Sequence, residues 1–237
     1  MAIRSFFAVA ALAALAGSAN AQIITQWNFN STTPDATTST GTLLPSTGLG
    51  TFSLVGGTTS TFASGDASGG SSDPATGDDS GLNASTFAAA TITPPTGSGM
   101  RGVQFAVSTV GRIGIIVSWD QRHSNTSSRF AQFQYSTDGS SFINFGTPFA
   151  AMTGDTWFNN RTVDLSTITA VENNANFAFR VVAVFDPAGT NFVASNPAST
   201  YGVTGTWRFD QVTVVPTPGS AALVALAGLA ASRRRRA

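Results

Sequence analysis

The second half of the chain consists of short runs in which apolar and polar residues alternate with a period of two. Such alternation puts successive side chains on opposite faces of an extended chain, which is typical of strands with one buried face. Turn residues such as Asp138-Gly139 separate the runs. The apolar positions of the runs are Val103, Phe105 and Val107; Ile113, Ile115, Val117 and Trp119; Ala131, Phe133 and Tyr135; Phe177, Phe179, Val181, Ala183 and Phe185; and Trp207 and Phe209, then Val212 and Val214.

These runs predict an all-β fold, an antiparallel β-sandwich with the connectivity of a jelly roll. Lysine is absent and Glu172 is the only glutamate, so the residues that normally cover helix surfaces are missing. Earlier strands are predicted at Ile23–Phe29 and Thr51–Val55. A jelly roll usually pairs its terminal strands, and Trp27–Phe29 and Trp207–Phe209 are the candidate partners. The change of phase after Phe209 predicts a bulge near Asp210 and Gln211.

The N-terminus has the three parts of a secretory signal peptide. Arg4 supplies the positive charge, residues 6–17 are apolar, and Ala19 and Ala21 form a small-residue cleavage site before Gln22. The alternative is an N-terminal membrane anchor, but the apolar run is shorter than the roughly 20 residues that cross a bilayer. We therefore expect signal peptidase to remove residues 1–21.

The C-terminus, residues 216–237, also has three parts. A short apolar segment, 219–232, consists of small and aliphatic residues, which can satisfy its backbone in lipid only as a transmembrane helix. Positive charge is retained on the cytoplasmic side of a membrane. The flanking residues are Pro216, Thr217 and Pro218 before the helix, and Arg233, Arg234, Arg235 and Arg236 after it.

This order of parts resembles the PEP-CTERM sorting signal, which exosortases recognise in Gram-negative bacteria. The resemblance covers only residues 215–237, and Thr217 stands where the family name places glutamate. It implies that residues 216–218 are recognised by the processing enzyme, while the helix and the arginines hold the chain in the inner membrane. The alternative is a plain C-terminal tail anchor.

Residues 22–215 remain as one β-sandwich domain, interrupted by a segment at 56–99 that is rich in Gly, Ser, Thr and Asp. Such a composition buries little apolar surface, so we expect a long surface loop or partial disorder. The loop contains Asp66, Asp73, Asp78 and Asp79, and carboxylates in a glycine-rich loop are ligands that calcium prefers. Their spacing matches neither the EF-hand loop nor the nonapeptide calcium repeats, and solvated acids are the simpler interpretation.

One polar group follows a predicted strand directly. Trp119, Asp120, Arg122 and His123 lie within five residues, and one acid, one base and one cation suggest acid–base chemistry. The chain has no second histidine for a metal site and no Gly-x-Ser-x-Gly nucleophile motif. A polar strand end is therefore the simpler interpretation. Polar groups beside a tryptophan also suit a sugar, which makes this segment the first candidate for ligand contact.

Composition excludes several function classes. The chain has no cysteine and one histidine, so thiolate metal sites and cysteine nucleophiles are excluded. Glycosidases of the laminarinase-like jelly-roll class need a pair of glutamates, which Glu172 alone cannot supply. Between the two terminal segments, seven scattered arginines face twelve acids, a net charge of −5, which argues against nucleic-acid binding.

We therefore predict an exported, non-catalytic protein of the cell envelope or extracellular matrix, with a structural or adhesive β-sandwich. The resemblance of the tail implies an exosortase as partner and an association with exopolysaccharide. The alternative is a carbohydrate-binding module, stabilised by calcium. No cofactor other than that calcium is expected.

Overall fold

The computed structural model describes residues 22–74, 78–85 and 97–217. Within them the regular elements are antiparallel strands and two short 3-10 turns, Ala67–Gly69 and Thr169–Val171. The strands are β1 Thr25–Trp27, β2 Thr47–Gly48, β3 Thr51–Val55, β4 Thr59–Ser64, β5 Ser80–Ser85, β6 Gly102–Ala106, β7 Ile115–His123, β8 Phe130–Ser136, β9 Ile143–Asn144, β10 Phe149–Ala150, β11 Thr156–Asp164, β12 Ala178–Val184 and β13 Thr206–Pro216. The all-β prediction is confirmed.

The strands form two sheets packed face to face. In sheet A the order is β11-β7-β13, and the far edge of β13 pairs with β5 along one half and with β1 along the other. β4 extends this edge beyond β5, and β2 extends it beyond β1. In sheet B the order is β10-β8-β12-β6-β3, with β9 also paired to β8. Consecutive long strands cross between the sheets, which is the connectivity of a jelly roll.

The terminal strands pair, as the sequence predicts, but in a different register. Gln26 lies opposite Thr213, and Trp27 lies opposite Val212. Trp207–Phe209 instead pairs with β5 and with β7. The predicted partners were wrong because a single β13 of 11 residues has room for two neighbours along one edge.

The predicted bulge in β13 is confirmed. The register between β13 and β7 shifts between Asp210 and Thr213, and Gln211 has a left-handed backbone with φ 48°. The extra residue keeps Phe209 and Val212 both buried on the inner face. Asp210 therefore lies on the outer face of sheet A, opposite Asp120 of β7.

Large aromatic side chains fill the space between the sheets. Trp119 of sheet A stacks on Phe133 of sheet B with 5.8 Å between ring centroids, and Phe133 stacks on Phe179 at 5.6 Å. Phe105 continues the row at 5.0 Å from Phe179, and Trp27 closes it from sheet A at 4.9 Å. All five rings are at most 1% exposed, so burial of aromatic surface joins the two sheets in a chain without disulfides.

The 56–99 segment contains more regular structure than the sequence predicted. Residues 59–64 and 80–85 form the β4–β5 hairpin, which lies beside the first half of β13. The prediction of one long loop was wrong. The backbones of these strands hydrogen-bond to neighbouring strands, although their threonine and serine side chains bury little apolar surface. Leu82 is fully buried, and the partly buried Phe62 also packs against the core.

Two predicted segments lie outside the described residues. They are the signal peptide, residues 1–21, and the sorting tail from Pro218 onward, including the transmembrane helix at 219–232 and the arginines at 233–236. Among the residues that the structure describes, no helix has the length and apolar character that crossing a bilayer requires.

Candidate functional site

The segment predicted to contact a ligand is buried. Trp119 and His123 point into the core, and Asp120 and Arg122 point to the outer face of sheet A, where residues 65–73 cover them. Their exposed fractions lie between 0 and 8%. The prediction that these residues contact a ligand was wrong. Alternation along β7 indicates which face of the sheet each side chain occupies, but it does not indicate that residues 65–73, the covering loop, lie over the outer face.

His123 belongs to the core. Its Nδ1 donates to the Ser128 carbonyl at 2.9 Å, and its ring packs against Trp207 and Phe158. Burial, aided by the positive charge of Arg161, lowers the pKa of His123 well below its ordinary value. The imidazole is therefore neutral and structural, with no role as an exposed acid or base.

Asp120 and Arg122 hold the covering loop in place. Asp120 accepts hydrogen bonds from the backbone NH of Ser72 at 2.5 Å and from the backbone NH of Asn160 at 2.7 Å. Arg122 donates to Ser68 Oγ at 3.1 Å and forms an ion pair with Asp155 at 2.7 Å. The bonds to Ser68 and Ser72 dock residues 68–72 onto the second half of β7.

An acidic cluster lies under the same loop. The carboxylate oxygens of Asp73, Asp79 and Asp210 lie within 4.8 Å of one another, so they could hold a metal ion together. Two unit negative charges at that distance repel by roughly 3.5 kcal/mol at an effective dielectric constant of about 20. Burial, with Asp66 and Asp73 nearby, raises the pKa of Asp79 to about 7. Burial also raises the pKa of Asp73, and it raises that of Asp210 well above its ordinary value.

The sequence identified two members of this cluster, Asp73 and Asp79, among its calcium candidates. The structure places Asp78 elsewhere, where its Oδ2 accepts from the Asp35 backbone NH at 3.1 Å. The third carboxylate, Asp210, was missed because it lies far away in the sequence. The predicted bulge at this residue was the one available sign that its side chain has a special position.

A row of polar side chains crosses the outer face of sheet B, and we call it the polar row. Phe105, Phe179 and Phe133 point into the core, so the residues adjacent to them in each strand point outward. The register aligns these outward residues across five neighbouring strands. The members of the polar row are Ser53 of β3, Gln104 of β6, Arg180 of β12, Gln134 of β8 and Asn144 of β9.

The polar row is ordered by contacts among its own side chains. Arg180 Nε donates to Gln104 Oε1 at 2.7 Å, and Gln134 Nε2 donates to Asn144 Oδ1 at 2.8 Å. The ring of Phe142 lies beside Arg180, with 3.5 Å between the guanidinium carbon and the ring centroid. Partial burial lowers the pKa of Arg180 from its ordinary value, but a guanidinium keeps its charge at neutral pH.

Phe142 follows a tight turn that the sequence predicted at Asp138-Gly139. Asp138 Oδ1 accepts from the backbone NH groups of Ser140 and Ser141, each at 2.7 Å. These bonds stabilise the ionised carboxylate and lower the pKa of Asp138 far below its ordinary value. The turn therefore fixes the position from which Phe142 reaches the polar row.

A cavity of about 410 Å³ lies between residues 28–34 and residues 42–46. Among the lining residues that the structure describes, Asp78 is the only ionisable one and none is aromatic. The cavity therefore offers neither a paired acid and base nor a stacking surface for a ligand.

Comparison with known proteins gives no family model and no curated protein that matches the chain. Among solved structures, the chain is similar to the CBM22-1 xylan-binding domain from Paenibacillus barcinonensis, with 10% identity, coverage of 84% of this chain and 97% of that chain, and a TM-score of 0.45. It is also similar to TmCBM61 in complex with β-1,4-galactotriose, at 8% identity, 70% and 88% coverage, and a TM-score of 0.38. A third is the K1 cleaved adhesin domain of Lys-gingipain from Porphyromonas gingivalis W83, at 16% identity, 70% and 98% coverage, and a TM-score of 0.35. We therefore infer function from the chain's own side chains.

Proposed function

We propose that this protein is a non-catalytic carbohydrate-binding β-sandwich whose ligand lies along the polar row. The observation that carries the proposal is the alignment of Gln104, Arg180 and Gln134 across adjacent strands, with Phe142 beside them. Neighbouring strands lie about 4.8 Å apart, so the five members span roughly 19 Å. An extended oligosaccharide fits a surface of this length better than a small compact metabolite does.

The chemistry of the polar row suits a sugar chain. Amide side chains both donate and accept hydrogen bonds, and a guanidinium donates several in a fixed plane. Hydroxyl groups on adjacent sugar carbons need such paired donors and acceptors, while an aromatic ring offers an apolar surface for the C–H face of the sugar ring. The polar row contains one cation and no acid, and the domain has a net charge of −5, so we propose a neutral glycan.

Binding to polysaccharides tests this function. The full-length chain, purified in mild detergent, is titrated by calorimetry with a panel of soluble neutral and acidic polysaccharides. We expect binding to at least one neutral polymer with little dependence on salt. Arg180→Ala should weaken it by at least about tenfold, since a hydrogen bond to a charged group contributes about 1.5–3 kcal/mol.

Arg112→Ala is the matched control, because this arginine contacts Gln22 and lies outside the polar row. Its affinity should equal that of the unchanged chain. Absence of binding to every polymer, or equal affinity for the Arg180 variant and the unchanged chain, would contradict the proposal.

Export and sorting through the terminal segments form part of the same proposal. The residue pattern of 1–21 and the PEP-CTERM-like tail support signal-peptidase and exosortase processing, followed by a location at the cell surface or outside the cell. The described fold reaches the start of the tail, because Pro216 is the last residue of β13 and the Thr217 backbone NH donates to the Gly114 carbonyl at 2.5 Å. Cleavage beyond Thr217 would therefore release an intact sandwich.

A further inference from the structure

The acidic cluster joins three separate parts of the chain on the outer face of sheet A. Asp73 ends the covering loop, residues 65–73, Asp79 precedes β5, and Asp210 lies at the bulge of β13. Asp79 and Asp210 are fully buried, and Asp73 is partly exposed. The cluster lies on the opposite sheet from the polar row, so the two sites are separate.

Two carboxylates of the cluster accept hydrogen bonds from described residues, and the third, Asp79, does not. Asp73 accepts from Asn30 Nδ2 at 3.0 Å, and Asp210 accepts from Ser71 Oγ and from the Gln211 backbone NH, each at 2.7 Å. Among the residues that the structure describes, neither oxygen of Asp79 has a hydrogen-bond donor. A fully buried carboxylate with two unpartnered oxygens is costly and therefore points to a bound ligand at this position.

Positive side chains do not neutralise the cluster. In the described part of the chain the one ion pair is that between Arg122 and Asp155. The nearby Arg208 donates its Nη1 to the Ser64 carbonyl at 2.8 Å rather than to a cluster carboxylate. The three acids therefore need a counterion from solution if all are to be ionised.

We propose that Asp73, Asp79 and Asp210 bind a calcium ion that fastens the covering loop to β13. The donor set is oxygen alone, which selects a hard cation over zinc or copper. Calcium accepts six to eight oxygens in an adaptable geometry, and three carboxylates with the carbonyls and water around them can supply that number. Magnesium needs a stricter octahedron and keeps much of its water, so it fits three converging buried carboxylates less well.

The backbone around Asp79 leaves room for no additional side chain. A Cβ added at Gly65 would collide with the Asp79 carboxylate. The Gly65 backbone NH donates to the Asp79 carbonyl at 2.9 Å, and this bond ties the start of the loop to the residue before β5. The cluster is thus held by backbone contacts on one side and by β13 on the other, which pre-organises it for an ion.

Thermal unfolding of the full-length chain in EDTA, in CaCl2 and in MgCl2 tests the proposal. At calcium about 100 times the Kd we expect the Tm to rise by about 5–10 °C over its value in EDTA, and magnesium should give a smaller rise. Asp79→Asn should lose the calcium shift while melting in EDTA at or above the Tm of the unchanged chain, since it removes a buried like charge. Calorimetric titration with CaCl2 should show one site that this variant lacks.

Asp78→Asn is the matched control. The Asp78 carboxylate lies outside the cluster, and the amide oxygen of the variant can still accept from the Asp35 backbone NH. It should keep the full shift. If Asp79→Asn does not fold, Asp73→Asn at the partly exposed position gives the same reading. A Tm that is equal in EDTA and CaCl2, or a full calcium shift in both cluster variants, overturns the proposal. These results are independent of the glycan proposal, because glycan binding can also be titrated in EDTA with the chain free of calcium.

Discussion

The guanidinium of Arg180 lies over the ring of Phe142, with 3.5 Å between the guanidinium carbon and the ring centroid. The same guanidinium donates to Gln104, so one contact from β6 and one from the turn before β9 fix its plane. A guanidinium held in this way loses little conformational freedom when it donates to a ligand, which favours binding.

Removing the ring of Phe142 should therefore weaken glycan binding without unfolding the domain. A cation–π contact at a partly exposed site contributes about 0.5–2 kcal/mol, so Phe142→Ala should lower the affinity by roughly 2- to 30-fold. Calorimetric titration with the bound polysaccharide measures the change. Ile143→Ala, at the adjacent residue that is 56% exposed, should leave the affinity unchanged. Equal losses in both variants would assign the effect to the hairpin as a whole.

Trp119 should act as a core residue and not as a ligand contact. Trp119→Ala should lower the free energy of unfolding by about 3–5 kcal/mol, because it leaves a cavity beside Phe133. Urea denaturation followed by fluorescence measures this loss. The folded fraction of the variant should bind polysaccharide with unchanged affinity. A loss of affinity in a fully folded sample would return Trp119 to the ligand site.

Gly65→Ala should interfere with the acidic cluster, because the new methyl group meets the Asp79 carboxylate. We expect the variant to melt at a lower temperature and to lose most of its response to CaCl2. Gly189→Ala is the control, since the nearest atom to a Cβ there is an ordinary 3.9 Å away. Differential scanning fluorimetry in EDTA and in CaCl2 compares the two, and an unchanged calcium shift in Gly65→Ala would contradict the proposed ion position.

The stability of the chain in EDTA should depend on pH through Asp79. Its pKa is raised from 3.8 to about 7 in the folded state, so the folded chain binds the extra proton and loses stability as the pH rises from about 4 to about 7. Asp79→Asn lacks this titration. The variant should therefore be more stable than the unchanged chain at pH 8, by roughly 2 kcal/mol once screening is allowed for, and by less than half of that at pH 5.

Paired urea titrations of the two chains at pH 5 and pH 8 measure this difference. The neighbouring acids Asp73 and Asp210, whose pKa values are also raised by burial, are present in both chains, so their own titration largely cancels. A difference that is larger at pH 5 than at pH 8 would have the wrong sign for a carboxyl with a raised pKa.

The terminal segments predict the mass of the exported form. If signal peptidase and an exosortase process the chain, intact-mass spectrometry should find a protein that begins at Gln22 and ends near residues 216–219. A mature protein that still carries Arg233–Arg236 would contradict sorting by an exosortase and favour the tail anchor.

The sequence by itself predicted seven of the strands, β1, β3, β6, β7, β8, β12 and β13, and the buried face of most of them. Alternation is a local property, so the inward positions of β6, β12 and β13 and the bulge at Asp210 could be predicted without knowledge of neighbours. The hairpin of β4 and β5 was missed because Thr59–Ser64 has Phe62 as its one large apolar residue. Its strand character comes from pairing with β5, which is not a local property.

Only the tertiary structure decided which residues meet. Asp210 joins Asp73 and Asp79 because β13 lies beside β5 and the covering loop folds across it, and Asp120 is buried for the same reason. The polar row depends on the register of five strands, which places Gln104, Arg180 and Gln134 side by side. A period of two fixes the face of each side chain, whereas strand order and register fix its neighbours, and those depend on how the whole core packs.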